Sequence, residues 1–87
     1  MYIARCVDDS LYTGITKYLK RRIYEHNCDN RLGAKALRYR RPVVLVYYEP
    51  FATQVEAAKR ERSIKHWTRK HKLKLIKEFT VAKNLLK

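Results

Sequence analysis

Tyr2-Ile3-Ala4-Arg5-Cys6-Val7-Asp8-Asp9-Ser10-Leu11-Tyr12-Thr13-Gly14 opens the chain with two runs of strand-forming residues around a turn cluster. β-Branched and aromatic side chains favour a pleated backbone, and Asp and Ser bond their own backbone in tight turns. The stretch therefore reads as an antiparallel hairpin with a short loop. Gly14 closes the second strand, where the missing Cβ permits a close approach or a positive φ.

Beyond the hairpin the hydrophobic period changes from two to nearly four. Thr16 suits the N-cap of a helix over Lys17 to Asn27, with Leu19 and Ile23 as its buried stripe. Tyr18, Arg22 and His26 also repeat every four residues and share a neighbouring face. Residues 28–41 have no period and carry Arg31, Lys35, Arg38, Arg40 and Arg41 around Gly33, a basic loop. Pro42 introduces Val43-Val44-Leu45-Val46-Tyr47-Tyr48, an apolar run expected to be a strand buried on both faces, at the centre or core edge of the sheet. Thr53 and Glu56 have the spacing of a capping box for a helix reaching Trp67. Its expected inward stripe is Ala57, Ala58, Glu61 and Ile64, with Lys65 as a further candidate member. A last helix from Arg69 places Leu73, Ile76 and Phe79 or Thr80 at helical spacing. The expected architecture is α+β: a small three-stranded antiparallel sheet flanked by helices, in the order β-β-α-β-α-α. Residues 1–80 form one domain, and 81–87 a C-terminal tail.

Composition narrows the function. Twenty-one Lys and Arg oppose eight Asp and Glu in 87 residues, a formal charge of +13. Self-repulsion on that scale is relieved by a polyanion, so nucleic acid is the leading partner. The basic residues do not line one clean amphipathic helix, and no apolar run approaches the ~18 residues of a transmembrane span, so no membrane role is expected. Met1 to Asp8 lacks a signal-peptide pattern, which points to the cytoplasm. Cys6 and Cys28 belong to no CxxC pair, and with three scattered His they offer no zinc spacing. They read as reduced thiols.

Tyr2-Ile3, followed ten positions later by Tyr12-Thr13-Gly14, resembles the paired motifs of the GIY-YIG nucleases. Arg22 falls ten residues beyond the second tyrosine, where that family has an arginine. His26 matches a position held by His or Tyr, and Glu61, followed by Ser63-Ile64-Lys65, matches a metal-binding glutamate. The resemblance covers residues 1 to 67. Cys6, Arg41-Pro42-Val43, Leu45-Val46-Tyr47 and the Glu61–Trp67 stretch are similar to the small stand-alone bacterial-type members. Met1 stands at the first motif's glycine, so the first strand is expected to be short or frayed. Thr13 replaces an isoleucine, and Trp67-Thr68-Arg69 follows the glutamate helix, where many members carry an asparagine.

The resemblance implies phosphodiester hydrolysis with one divalent metal, Mg²⁺ or Mn²⁺, on Glu61, and no small-molecule cofactor. A single carboxylate suits a hard cation that keeps waters and takes substrate phosphate oxygens. Arg22 presents a planar fork of donors to the phosphate. Tyr12 is the implied general base. A phenol is protonated at neutral pH, so it needs neighbouring cations for that role. Tyr2 would orient Tyr12 or the water, and His26 would hold a phosphate oxygen or relay a proton.

The remaining cations have a plainer role. Nine basic residues oppose two acidic ones between Lys17 and Arg41, and nine oppose one between Lys59 and Lys77. Lys17, Arg21, Lys35, Arg38, Arg40, Arg41 and Lys65 are expected to track a nucleic-acid backbone without reading sequence. Tyr18, Tyr24, Tyr39 and Trp67 are stacking candidates, with Trp67 assigned to the core. The expected activity is endonucleolytic cutting of DNA, ahead of RNA, at branched, nicked or damaged structures, as in DNA repair. The alternative is a catalytically weak or inactive binding module on the same fold. A ribosome-associated RNA-binding role rests on charge alone.

Overall fold

A computed structural model describes residues 1–28 and 40–85, with side chains through residue 82. Its elements are β1 (Tyr2–Arg5), β2 (Leu11–Gly14), α1 (Leu19–Cys28), β3 (Val44–Tyr48), α2 (Gln54–Lys65) and α3 (Arg69–Leu85). The three strands form one antiparallel sheet in the order β2-β1-β3. The α+β class and element order are those read from the sequence.

The hairpin turn works as its residues dictate. Asp8 accepts from the Ser10 amide at 3.1 Å and from the Ser10 hydroxyl at 2.6 Å. Asp9 takes φ 66°, a left-handed conformation that Asp tolerates. The Cys6 amide then donates to the Ser10 carbonyl at 2.9 Å.

The central strand is β1. Tyr2, Ile3 and Ala4 are all buried, and the Met1 ammonium donates to the Glu49 carbonyl at 3.0 Å. The expectation of a frayed first strand is therefore corrected: ladders on both sides and cover on both faces hold it. The apolar run Val43–Tyr48 lies at an edge, with Val44 and Tyr48 exposed. Ile3 pairs with Tyr47 and Ala4 with Leu45, which leaves Val46 as the extra residue of a β-bulge. The bulge resets the alternation, so Leu45 packs on one face with Ala4, while Tyr47 packs on the other with Ile3. One apolar run thus serves both faces from an edge.

The face carrying Tyr2, Ala4, Cys6 and Tyr12 packs against Leu19 and Ile23 of α1. The opposite face, with Met1, Ile3 and Tyr47, packs against Ile64, Trp67, Leu75, Ile76 and Phe79 of α2, α3 and their junction. α1 starts two residues later than expected. Tyr18 is its N-cap, accepting the first helical bond from Arg22, and Thr16 instead accepts the Tyr18 amide in the preceding turn. Thr53 caps α2 as read, accepting from the Glu56 amide at 3.2 Å. α2 ends at Lys65, short of Trp67, and Lys65 is exposed. Thr68 caps α3, accepting from the His71 amide at 3.3 Å. The stripe of α3 is Leu75, Ile76 and Phe79, whereas Leu73 faces solvent. Val81–Leu85, expected as tail, continues the helix.

Candidate functional site

Tyr2 stands at the centre. Its strand partner is Gly14, and a Cβ there would lie 2.7 Å from the Tyr2 hydroxyl and 2.8 Å from its ring. Gly14 therefore serves close approach and not positive φ: the Tyr2 ring lies across bare backbone. The hydroxyl so placed meets His26 Nε2 at 2.6 Å and is also hydrogen-bonded by Arg22. Burial, with help from the neighbouring Tyr12, pushes the Tyr2 phenol up to about 12. Burial, then the Arg22 charge, brings His26 down to about 4. Both groups are neutral at pH 7. A guanidinium only donates, so Tyr2 accepts from Arg22 and donates to Nε2, which puts the His26 proton on Nδ1.

Tyr12, on the same face as Tyr2, stacks edge-on with His26 at 5.3 Å between ring centroids and lies 6.3 Å from Tyr2. It is half-buried, so its phenol is within a substrate's reach where that of Tyr2 is closed off. Glu61 comes from the opposite layer. It is half-buried, pairs with Lys65 Nζ at 2.6 Å, and its charge reaches Tyr2. The Glu61 hydrogen bond raises the Lys65 pKa, and Lys65 also sits within electrostatic range of Tyr12. Lys65, read as a backbone contact, thus pairs with Glu61 within electrostatic range of the general-base candidate.

The α1 face read from the four-residue repeat runs from solvent to core. Tyr18 is exposed, Arg22 half-buried and His26 fully buried. His26 has no solvent-facing surface, so in this conformation it reaches a substrate only through Tyr2. Glu25, which the sequence reading missed, pairs with Arg22 at 3.1 Å and Arg21 at 3.3 Å. Its spacing of three and four residues from the two arginines was the available signal. Asn27 was also missed. Its side-chain amide donates to the Val43 carbonyl at 3.1 Å and accepts the Val43 amide at 2.7 Å, fastening the end of α1 to the approach to β3.

The expected backbone-tracking residues divide. Lys17 is exposed beside the start of α1, and Arg21 is exposed in its pair with Glu25. Arg40 makes a long, exposed pair with Asp8 at 3.7 Å. Arg41 donates to the His26 carbonyl at 2.5 Å, a cation at the C-terminal end of α1. Lys35 and Arg38, with Arg31 and the stacking candidate Tyr39, lie outside the described residues. Trp67 packs in the core as assigned, with the Arg60 guanidinium 5.2 Å from its centroid, while Tyr18 and Tyr24 are exposed. Arg60 also clasps Glu49, which accepts from Tyr47, so Arg60 belongs to a structural network. Cys6 and Cys28 are free thiols.

Among the described residues no three His, Cys, Asp or Glu side chains converge, and no helix is long and apolar enough to cross a membrane. A family model described as the GIY-YIG catalytic domain matches residues 1–74. A UPF0213 protein of Staphylococcus saprophyticus is 54% identical over 78 residues, 90% of this chain and 93% of its own length. UPF0213 proteins of Staphylococcus epidermidis and Staphylococcus haemolyticus are 51% and 50% identical over the same shares. No solved structure matches the chain significantly.

Proposed function

The chain belongs to the GIY-YIG nuclease family, and from that membership we propose that it is a metal-dependent endonuclease cutting DNA at branched, nicked or damaged structures. The observation that carries this reading is the hydrogen-bonded cluster of Tyr2, His26 and Arg22, with Tyr12 beside it and the Glu61 charge reaching it.

In this reading Arg22 holds the scissile phosphate, its fork facing oxygens that gain charge during attack. Glu25 keeps the guanidinium in place on its other side. Tyr12, the reachable phenol, takes the proton of the attacking water, with the Lys65 cation within electrostatic range of it. Tyr2 is a positioning residue. Its proton stays on Oη, donated to His26, so it presents a fixed dipole beside Tyr12 and Arg22. His26 in turn fixes Tyr2.

Glu61 fits a hard divalent cation, Mg²⁺ or Mn²⁺. It is one half-buried carboxylate whose present counter-charge, Lys65, is exposed and able to swing away. When bound, such an ion supplies charge stabilisation at the phosphate and the leaving oxygen. Lys17, Arg21, Arg40 and the exposed cations of α3 would guide the backbone on either side. The cytoplasm is the compartment this substrate implies.

A nicking assay on supercoiled, nicked and branched DNA tests the proposal. Cleavage should require Mg²⁺ or Mn²⁺, stop with EDTA, and be abolished by Tyr12→Phe and by Glu61→Ala. Tight binding with no product under any divalent ion would sink it. The second reading, an inactive binding module, draws on the Glu61–Lys65 pair and on Trp67-Thr68-Arg69 standing where many members have the asparagine. Binding would then ignore metal and Glu61→Ala.

A further inference from the structure

A cleft of about 720 Å³ opens beside the cluster, between the β2–α1 connection and the β3–α2 loop. That volume is in the range of sites that take small organic rings. Tyr18, Tyr48 and Phe51 supply aromatic surface to it, Lys17 stands in its lining, and Tyr2 belongs both to the cleft and to the cluster. All three aromatics are exposed. Glu49 also lines it, but its carboxylate is taken by Arg60 and Tyr47.

Exposed aromatic rings gathered in a cleft, on a chain carrying a +13 charge, suit a partner that is both flat and anionic. Tyr18, the N-cap of α1, precedes Arg22 by about one helical turn, a rise of about 6 Å. That spacing matches the reach from a phosphate to the base of an adjoining nucleotide. We infer that the cleft holds an unstacked nucleobase next to the phosphate engaged by Arg22, with Tyr18 and Phe51 as stacking surfaces and Lys17 on a flanking phosphate. This rests on the nucleic-acid substrate proposed above and makes it more specific. A paired base cannot enter without leaving the helix, so the site selects strands with unpaired nucleotides beside the cut.

The test uses the full chain and two DNA probes: a forked duplex with 2-aminopurine at the first single-stranded nucleotide, and the fully paired duplex of the same sequence. Wild type should quench the 2-aminopurine in the fork and bind the fork more tightly than the duplex. Tyr18→Ala and Phe51→Ala should each weaken fork binding about five- to a hundred-fold, leaving duplex binding within about twofold. Tyr18→Trp should keep the preference. Both positions are exposed, so thermal melts should match wild type. The inference is overturned if fork and duplex weaken together or if neither variant changes binding. It also falls if the cleft instead seats a second copy, seen as Tyr18-dependent dimerisation on sedimentation. Failure of wild type to bind either probe would overturn the nucleic-acid reading itself, and this inference with it.

Discussion

The Tyr2 hydroxyl lies 2.6 Å from His26 Nε2 in a site that solvent does not reach. The imidazole is neutral when folded, with its pKa brought from 6.5 to about 4, first by burial and then by Arg22. The unfolded chain therefore binds more protons between these values. The stabilisation is complete above pH 6.5 and is lost as pH falls through the window towards 4, by at most about 3 kcal/mol. Urea titrations at stepped pH should show this slope. His26→Gln, which keeps a polar partner for Tyr2 but does not titrate, should be less stable at neutral pH and flatter below it. An equal slope in the variant would assign the acid lability to other groups.

Gly14→Ala should disrupt the same centre from the opposite side. The new Cβ meets the hydroxyl end of Tyr2 at 2.7 Å, and that ring is buried and fixed by His26, so it cannot swing aside cheaply. Since Gly14 does not have a positive φ, the penalty is steric, about 1–3 kcal/mol. A double-mutant cycle with Tyr2→Leu locates it. The alanine should cost far less once the ring is gone, and additive losses would count against the contact.

The hairpin and the α1 face were legible because each rests on local chemistry: strand formers around an Asp-Asp-Ser turn, and a four-residue repeat. That repeat put Tyr18, Arg22 and His26 in line, but no period says which end of a line is buried. The reading left β3 between the centre and the core edge of the sheet for a related reason, and the structure puts it at the edge. An apolar run reads as a central strand, and only the bulge at Val46 lets an edge strand feed both faces. β1, the real centre, carries Arg5 and a short apolar run and looks weaker in sequence than it is. On α3, Leu73-Ile76-Phe79 and Leu75-Ile76-Phe79 are both helical stripes, and tertiary packing chose the second. In the candidate region the Glu61–Lys65 pair was open to reading from its four-residue spacing on α2, whereas the Arg22–Tyr2 contact depends on the meeting of α1 with β1.

Thr13 carries a small internal conflict. It is buried, and its hydroxyl has no hydrogen-bond partner among the described residues. Thr13→Val keeps the shape and strand preference while removing the unsatisfied group. It should raise stability by about 1 kcal/mol, read as a higher urea midpoint at unchanged slope. A lower midpoint would show that the hydroxyl has a partner in solution.

Lys65 should have opposite effects on metal binding and on chemistry. Its ammonium sits 2.6 Å from a Glu61 oxygen, so a divalent ion taken up by Glu61 as proposed would compete with it. Lys65→Met removes the competitor, so Mn²⁺ affinity by electron paramagnetic resonance should rise several-fold, and Glu61→Gln added to it should erase the gain. The pair is exposed on the lysine side, so stability should barely move. Lys65 is also a cation within electrostatic range of Tyr12. At saturating metal, then, the single-turnover cleavage rate should fall even as the metal binds better. Unchanged Mn²⁺ affinity would remove Glu61 as the metal ligand. A rate that rises together with affinity would leave Tyr12 without the help of Lys65, and the general base would have to be sought elsewhere.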